Sequence, residues 1–219
     1  MVTTRRGTRH PATRIMASDP YFFLTYAHAP RVEGQSKDPD HLFEKIHTDL
    51  SVHIMQMTSH PHDAEVGYMD RRIRAGDDWW KDITSRLVRC RVLLALYSDR
   101  YFASESCGRE WHAFTAREEI HEKVTGNTVH AVVPILWTPV DPAEMPPIVQ
   151  PRQFIRSGLP ERYNEEGLYG LAANGTYRDD YDVSTYEIAK TIVRIAKSTQ
   201  LRPCETSQLP DLENVFERR

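Results

Sequence analysis

The side chains best suited to chemistry gather in one block, Gly67 to Trp111, GYMDRRIRAGDDWWKDITSRLVRCRVLLALYSDRYFASESCGREW. It opens on a charged turn, Asp70 to Asp78, carrying Arg71, Arg72 and Arg74. Those guanidinium groups suit the phosphates of a dinucleotide or the acids of a neighbouring subunit, and equally a solvated turn. Trp79 and Trp80 follow. Adjacent on a helix they point about 100° apart, so both cannot face a core fully and one is available as a contact surface. The block closes on Ser104, Cys107, Glu110 and Trp111. Taken alone, Glu110 is an acid early in a helix, favoured by the helix dipole by roughly 0.3 to 1 kcal/mol. Trp111 either offers an aromatic surface or, at helical spacing with Cys107 and Phe114, belongs to a core.

Other chemistries lack their parts. His60 and His62 are the close histidine pair, but Pro61 separates them and no cysteine is near, so a zinc site is short of ligands. Asp179, Asp180 and Asp182 lack the glycine spacing of a calcium loop. No GxGxxG, Walker A or GxSxG sequence occurs, which removes the main support for a dehydrogenase, a P-loop NTPase or a serine hydrolase. Cys90, Cys107 and Cys204 form neither an even disulfide framework nor a CxxC pair, and a reducing, cytoplasmic setting fits them best.

These residues need a scaffold, and the apolar pattern supplies one. Tyr21 to Tyr26 reads as a first strand, with His28 just beyond its end. Asp38 and Pro39 open a helix whose apolar face is Leu42, Phe43, Ile46, Leu50 and Ile54. Glu65 to Asp70 is a second, short strand. A helix with Trp80, Ile83, Leu87 and Cys90 on one side precedes Val92 to Tyr97, apolar on both faces like the centre of a parallel sheet. A further helix starts near Ser106. Val129 to Trp137 is another buried strand, which Pro134 pushes toward an edge or a bulge. A short strand is expected at Gln153 to Arg156, and a last helix opening on a capping box, Ser184 and Glu187. About five alternations predict an α/β fold: a central parallel, doubly wound, five-stranded sheet with helices on both faces. In such sheets ligands sit beyond the carboxyl ends of the strands, here after Tyr26, Met69, Tyr97 and Trp137.

The chain has 219 residues, enough for one sizeable core. A basic flexible arm is expected over residues 1–19, with Met16 an alternative start, a domain over 20–198 and a tail over 199–219. The net charge of −3 excludes the basic excess of a nucleic-acid binder. Mean hydropathy is −0.57, and no segment approaches the ~20 apolar residues that span a bilayer, so no membrane partner is expected.

Order and spacing within the block bring a family into view. Leu24-Thr25-Tyr26, the Asp70 to Gly76 turn, Ser98, Tyr101, Ser104 and Cys107-Gly108-Arg109-Glu110 together resemble a TIR domain over residues 21 to about 156. YFFLTYAHAP and the tyrosine-rich GLYGLAANGTYRDDYD resemble, more narrowly, the TIR-like FxsC proteins of actinobacterial peptide systems. The TIR resemblance implies a flavodoxin-like fold and cleavage of the nicotinamide-ribose bond of NAD, consumed as substrate and not held as cofactor. It implies Glu110 as catalytic carboxylate, and Tyr26, His28, Asp70, Arg74, Trp79, Ser104, Cys107 and Trp111 are the candidate substrate-binding residues around it. No metal is expected. A carboxylate suffices in principle, because the leaving nicotinamide is already cationic and the oxocarbenium charge needs only a fixed anion. Ser106 stands where several active members have Trp, and Thr25 and Ala27 replace serines. The alternatives are a TIR interaction module acting by homotypic contacts and a deoxyribosyltransferase-like enzyme. Self-association through Asp70 to Asp78, and contact with other TIR-containing or peptide-system proteins, are the implied partnerships.

Overall fold

The computed structural model describes residues 14–30, 33–34, 38–70, 77–152 and 158–217. Four strands form a parallel sheet: β1 (Phe22–Thr25), β2 (Gly67–Met69), β3 (Val92–Tyr97) and β4 (Val132–Leu136), in the order β2-β1-β3-β4. The register runs Phe22 to Gly67 and Val92, and Ala95 to Pro134. The fold class is as expected, but the described residues hold four strands where five were predicted. The segment proposed for the other, Gln153 to Arg156, lies outside them.

Side chains alternate across the strands and divide the core in two. Phe22, Leu24, Val92, Leu94, Leu96, Val133 and Ile135 face α1 (His41–Met57), α5 (Glu161–Ala173) and α6 (Arg178–Thr199). Phe23, Leu93, Ala95, Tyr97 and Val132 face α2 (Asp77–Leu87), the single turn α3 (Asp99–Phe102) and the long α4 (Glu105–Thr125). Every residue of β3 is buried, as its unbroken apolar run requires. Pro134, which donates no hydrogen bond, sits in β4, the outer strand of the sheet among the described residues.

Helix boundaries depart from the sequence reading where local chemistry outweighs pattern. The N-cap of α1 is Asp40, not Asp38. Helix α4 starts where expected, at Glu105 beside Ser106, and its N-cap is Ser104, whose Oγ accepts the Cys107 N–H at 3.3 Å. Helix α6 begins six residues before the supposed capping box. Ser184 is buried inside it and donates to the Asp180 carbonyl at 2.6 Å. Helix α5 has no counterpart in the sequence reading. It breaks at Gly167, whose φ of +66° and close approach to Trp137 need a residue without Cβ: an added Cβ would lie 2.4 Å from the Trp137 carbonyl oxygen.

The ends are not loose where they are described. Asp19 is buried and pairs with Arg89 at 2.6 Å, which anchors the chain just before β1. The segment after α6 has little regular structure, yet it packs along α4. Phe216 inserts among Tyr101, Phe102 and Trp111. The buried Arg117 of α4 donates to the carbonyls of Leu201 (3.0 Å), Arg202 (2.9 Å), Leu87 (2.8 Å) and Cys90 (2.6 Å). Two imidazoles of α4 accept amides from the same segment, His121 from Arg202 (3.1 Å) and His112 from Glu213 (3.0 Å).

Candidate functional site

The chain leaves β1 toward β2 on one side and returns through α2 to β3 on the other, so the topological switch point lies between β1 and β3. Beyond their carboxyl ends stand Thr25, Tyr26 and His28 from β1, and Ser98 and Tyr101 after β3. Ser98 caps α3 by accepting the Tyr101 N–H at 3.1 Å. Ser104 then caps α4, and the second turn of that helix carries Glu110 into this space.

Glu110 is 5% exposed. Burial pushes its carboxyl from an ordinary 4.5 up to about 8, and the Asp70 carboxylate adds to this. A hydrogen bond with Thr25 and the positive end of His28 act the other way. The group is therefore mostly protonated at neutral pH, and it gains an anion's character only when positive charge enters beside it. Thr25 lies within hydrogen-bond reach of Tyr101 Oη (3.4 Å) as well as of the carboxyl. Burial raises the thiol of Cys107 well above its ordinary value, and the neighbouring Glu110 raises it further, so Cys107 is an inert thiol.

A second set of groups lies at the rim. Tyr26 stacks on Phe43 with 4.3 Å between centroids, and its hydroxyl donates to the Asp70 carbonyl at 2.5 Å, which ties the end of β1 to the end of β2. The Asp70 carboxylate accepts the Trp79 indole N–H at 2.7 Å. Trp80 packs beside Trp79 and carries the Arg109 guanidinium over its face at 4.2 Å. His28 packs edge-on against Tyr26 and pairs through Nδ1 with Asp40. That pairing, more than burial opposes it, raises the basicity of His28, and Asp70 and Glu110 act in the same direction.

The structure thus brings together Glu110, Tyr26, His28, Asp70, Trp79 and Cys107. It sets two expected residues apart. Trp111 is fully buried between Tyr97 and Phe216 and offers no surface to a ligand, because its helical spacing with Cys107 and Phe114 makes it core. The Ser104 hydroxyl is engaged in capping α4 and with Ser106 at 3.1 Å. Arg74, with Arg71 and Arg72, lies outside the described residues. Asp40 was missed. Its signal was position, since an Asp just ahead of an apolar helical face is read as a cap, not as the partner of a histidine twelve residues earlier.

Among the described residues no helix is long and apolar enough to cross a membrane. Comparison with curated proteins gives no match. A family model described as TIR domain matches residues 36–168, well over half of the chain, and takes in α1 through the first part of α5 together with Asp70, Cys107 and Glu110. The match begins after β1, so the contribution of Thr25, Tyr26 and His28 rests on the sheet geometry. With the parallel sheet and the order of its elements, the match shows that the chain belongs to the TIR domain family.

Proposed function

We propose that this TIR domain hydrolyses NAD at the nicotinamide-ribose bond, giving nicotinamide and ADP-ribose or a cyclised form, with Glu110 as the essential carboxylate. One observation carries the reading: a carboxyl buried at the switch point of the sheet whose pKa is raised to about 8. A carboxyl placed there is costly to keep ionised and is of no use in holding the core together. Its neighbours suit a cationic substrate. Asp70 and Asp40 supply negative charge nearby, and bringing in a pyridinium ring favours ionisation of Glu110 at the moment oxocarbenium charge develops. The catalytic anion is then generated by the ligand it acts on. Tyr26 and Trp79 hold Asp70 in place through one hydrogen bond each.

The test is nicotinamide release from NAD by concentrated protein, followed chromatographically. We expect release in the wild type and specific activity that rises with protein concentration, because the proposal includes self-association through the Asp70 to Asp78 turn; Arg74→Glu should lower that rise without lowering the melting temperature. Absence of release at every concentration would leave the interaction-module reading. Release of free base from deoxynucleosides would replace both.

A further inference from the structure

Asp40 caps nothing. It is the N-cap residue of α1, yet its side chain makes no bond to the first turn of that helix. An Asp in that position ordinarily contributes about 1 kcal/mol through such a bond. Its carboxylate instead turns back to the end of β1, where Oδ1 accepts the Ala29 N–H at 2.9 Å and Oδ2 pairs with His28 Nδ1. Two contacts on one carboxylate fix the ring that it holds. With Nδ1 turned to Asp40, the ring presents Nε2, which has no hydrogen-bond partner among the described residues. Tyr26 closes one side of the imidazole at 4.9 Å between centroids. The His28 side chain is 27% exposed and that of Asp40 17%, so the nitrogen is open to a molecule from solvent while the carboxylate behind it is screened. The groups that raise the basicity of the ring are Asp40, Asp70 and Glu110, all carboxyls.

We propose that His28 is the general base of this site, taking a proton through Nε2 from the water that attacks the ribose, with Asp40 as its positioning residue. The proposal rests on the reading of Glu110 given above. The bond from ribose C1′ to the nicotinamide nitrogen breaks with its electron pair passing to that nitrogen, and nicotinamide leaves neutral. The water oxygen bonds to C1′, and one water proton passes to His28. The resulting imidazolium is stabilised by Asp40 and the neighbouring acids, then returns the proton to solvent. NAD and water thereby give nicotinamide, ADP-ribose and one proton.

Water must lose a proton to complete its attack, whereas free nicotinamide attacks through a lone pair and loses none. Incorporation of isotope-labelled nicotinamide into NAD therefore reports bond cleavage without the base, and ADP-ribose release reports capture by water. The assay uses the full chain at the concentration where the wild type is active. In His28→Gln the ratio of ADP-ribose release to label incorporation should fall about 10²-fold, the usual contribution of a positioned base. Asp40→Asn, which leaves His28 in place, should move the ratio the same way by less. Melting temperatures of both variants confirm folding. An unchanged ratio in folded His28→Gln overturns the role of His28 and leaves Glu110 untouched, as does equal loss of both products. Full release and incorporation in Glu110→Gln overturns the reading of Glu110, and with it this proposal, as does a wild type that yields neither product.

Discussion

Replacing Glu110 with Gln should stabilise the protein, and by an amount that depends on pH. The folded carboxyl has a pKa of about 8 against an ordinary 4.5. Below 4.5 both folded and unfolded states hold the proton and burial costs nothing. As pH rises toward 8 the unfolded chain releases its proton and the folded one does not, so stability falls, and above 8 the loss is complete. At about 1.4 kcal/mol per pH unit the full loss is roughly 5 kcal/mol, with about 3 kcal/mol of it falling between pH 5.5 and 9. Gln keeps the shape and a hydrogen-bonding partner for Thr25 but does not titrate. The stability of Glu110→Gln relative to the wild type should thus increase by about 3 kcal/mol over that interval, equivalent to a widening of roughly 6 to 12 °C in melting temperature for a domain this size. Thermal melts of both proteins at pH 5.5, 7 and 9 measure it. His28 bends the wild-type curve in the same direction, since its pKa is raised and its contribution is also lost as pH rises, but it is present in both proteins and its shift comes first from Asp40, so most of its contribution cancels in the comparison. A difference that stays flat from pH 5.5 to 9 would refute the argument, because the carboxyl would then be ionised in both states throughout.

Arg117→Met removes the donors to four backbone carbonyls in the core and should destabilise the chain by about 3 to 5 kcal/mol in denaturant unfolding; a loss under ~1 kcal/mol would mean that water replaces the guanidinium. In Gly108→Ala the new Cβ falls 1.8 Å from Asn214 Oδ1, so Asn214 must rotate and release the Phe216 amide it accepts. The gain of about 1 kcal/mol in helix propensity offsets that loss, and the expected outcome is faster hydrogen exchange at residues 212–216 with little change in melting temperature. Burial lowers the pKa of His121, and Arg202 and Arg117 lower it further, so its contribution is present above 6.5 and lost as pH falls. Exchange of the Arg202 amide should accordingly accelerate below pH 6.5 in the wild type and not in His121→Gln.

Much of the scaffold was legible because burial imprints a period on the sequence. The unbroken run Val92 to Tyr97 announced a central strand, and the face of Phe43, Ile46, Leu50 and Ile54 announced α1. Where polar residues are buried, the period misleads. The stripe on α4 continues from Trp111 and Phe114 through Arg117, Glu118 and His121, three residues that a pattern assigns to solvent. Their partners are backbone groups of the C-terminal segment, for Arg117 also the Leu87 and Cys90 carbonyls, and for Glu118 the Ala131 amide and Arg152, so the docking of that segment was invisible beforehand. The first turn of α6 is acidic and begins at Arg178, and Ser184 looked like a cap because Thr185 and Glu187 complete a capping pattern by chance of composition. Glu110 was found by its place in a motif, whereas its burial and the partnership of His28 with Asp40 depend on chain crossings that no local spacing encodes.

The central claim is tested most directly by the rate of nicotinamide release from NAD by the wild type and by Glu110→Gln, at equal concentrations of the full chain and below both melting temperatures. The account predicts a fall of about 10²-fold or more in the variant, the scale of a lost charge-stabilising group at a reacting centre, in a protein that is at least as stable as the parent. Equal rates in the two proteins would contradict it.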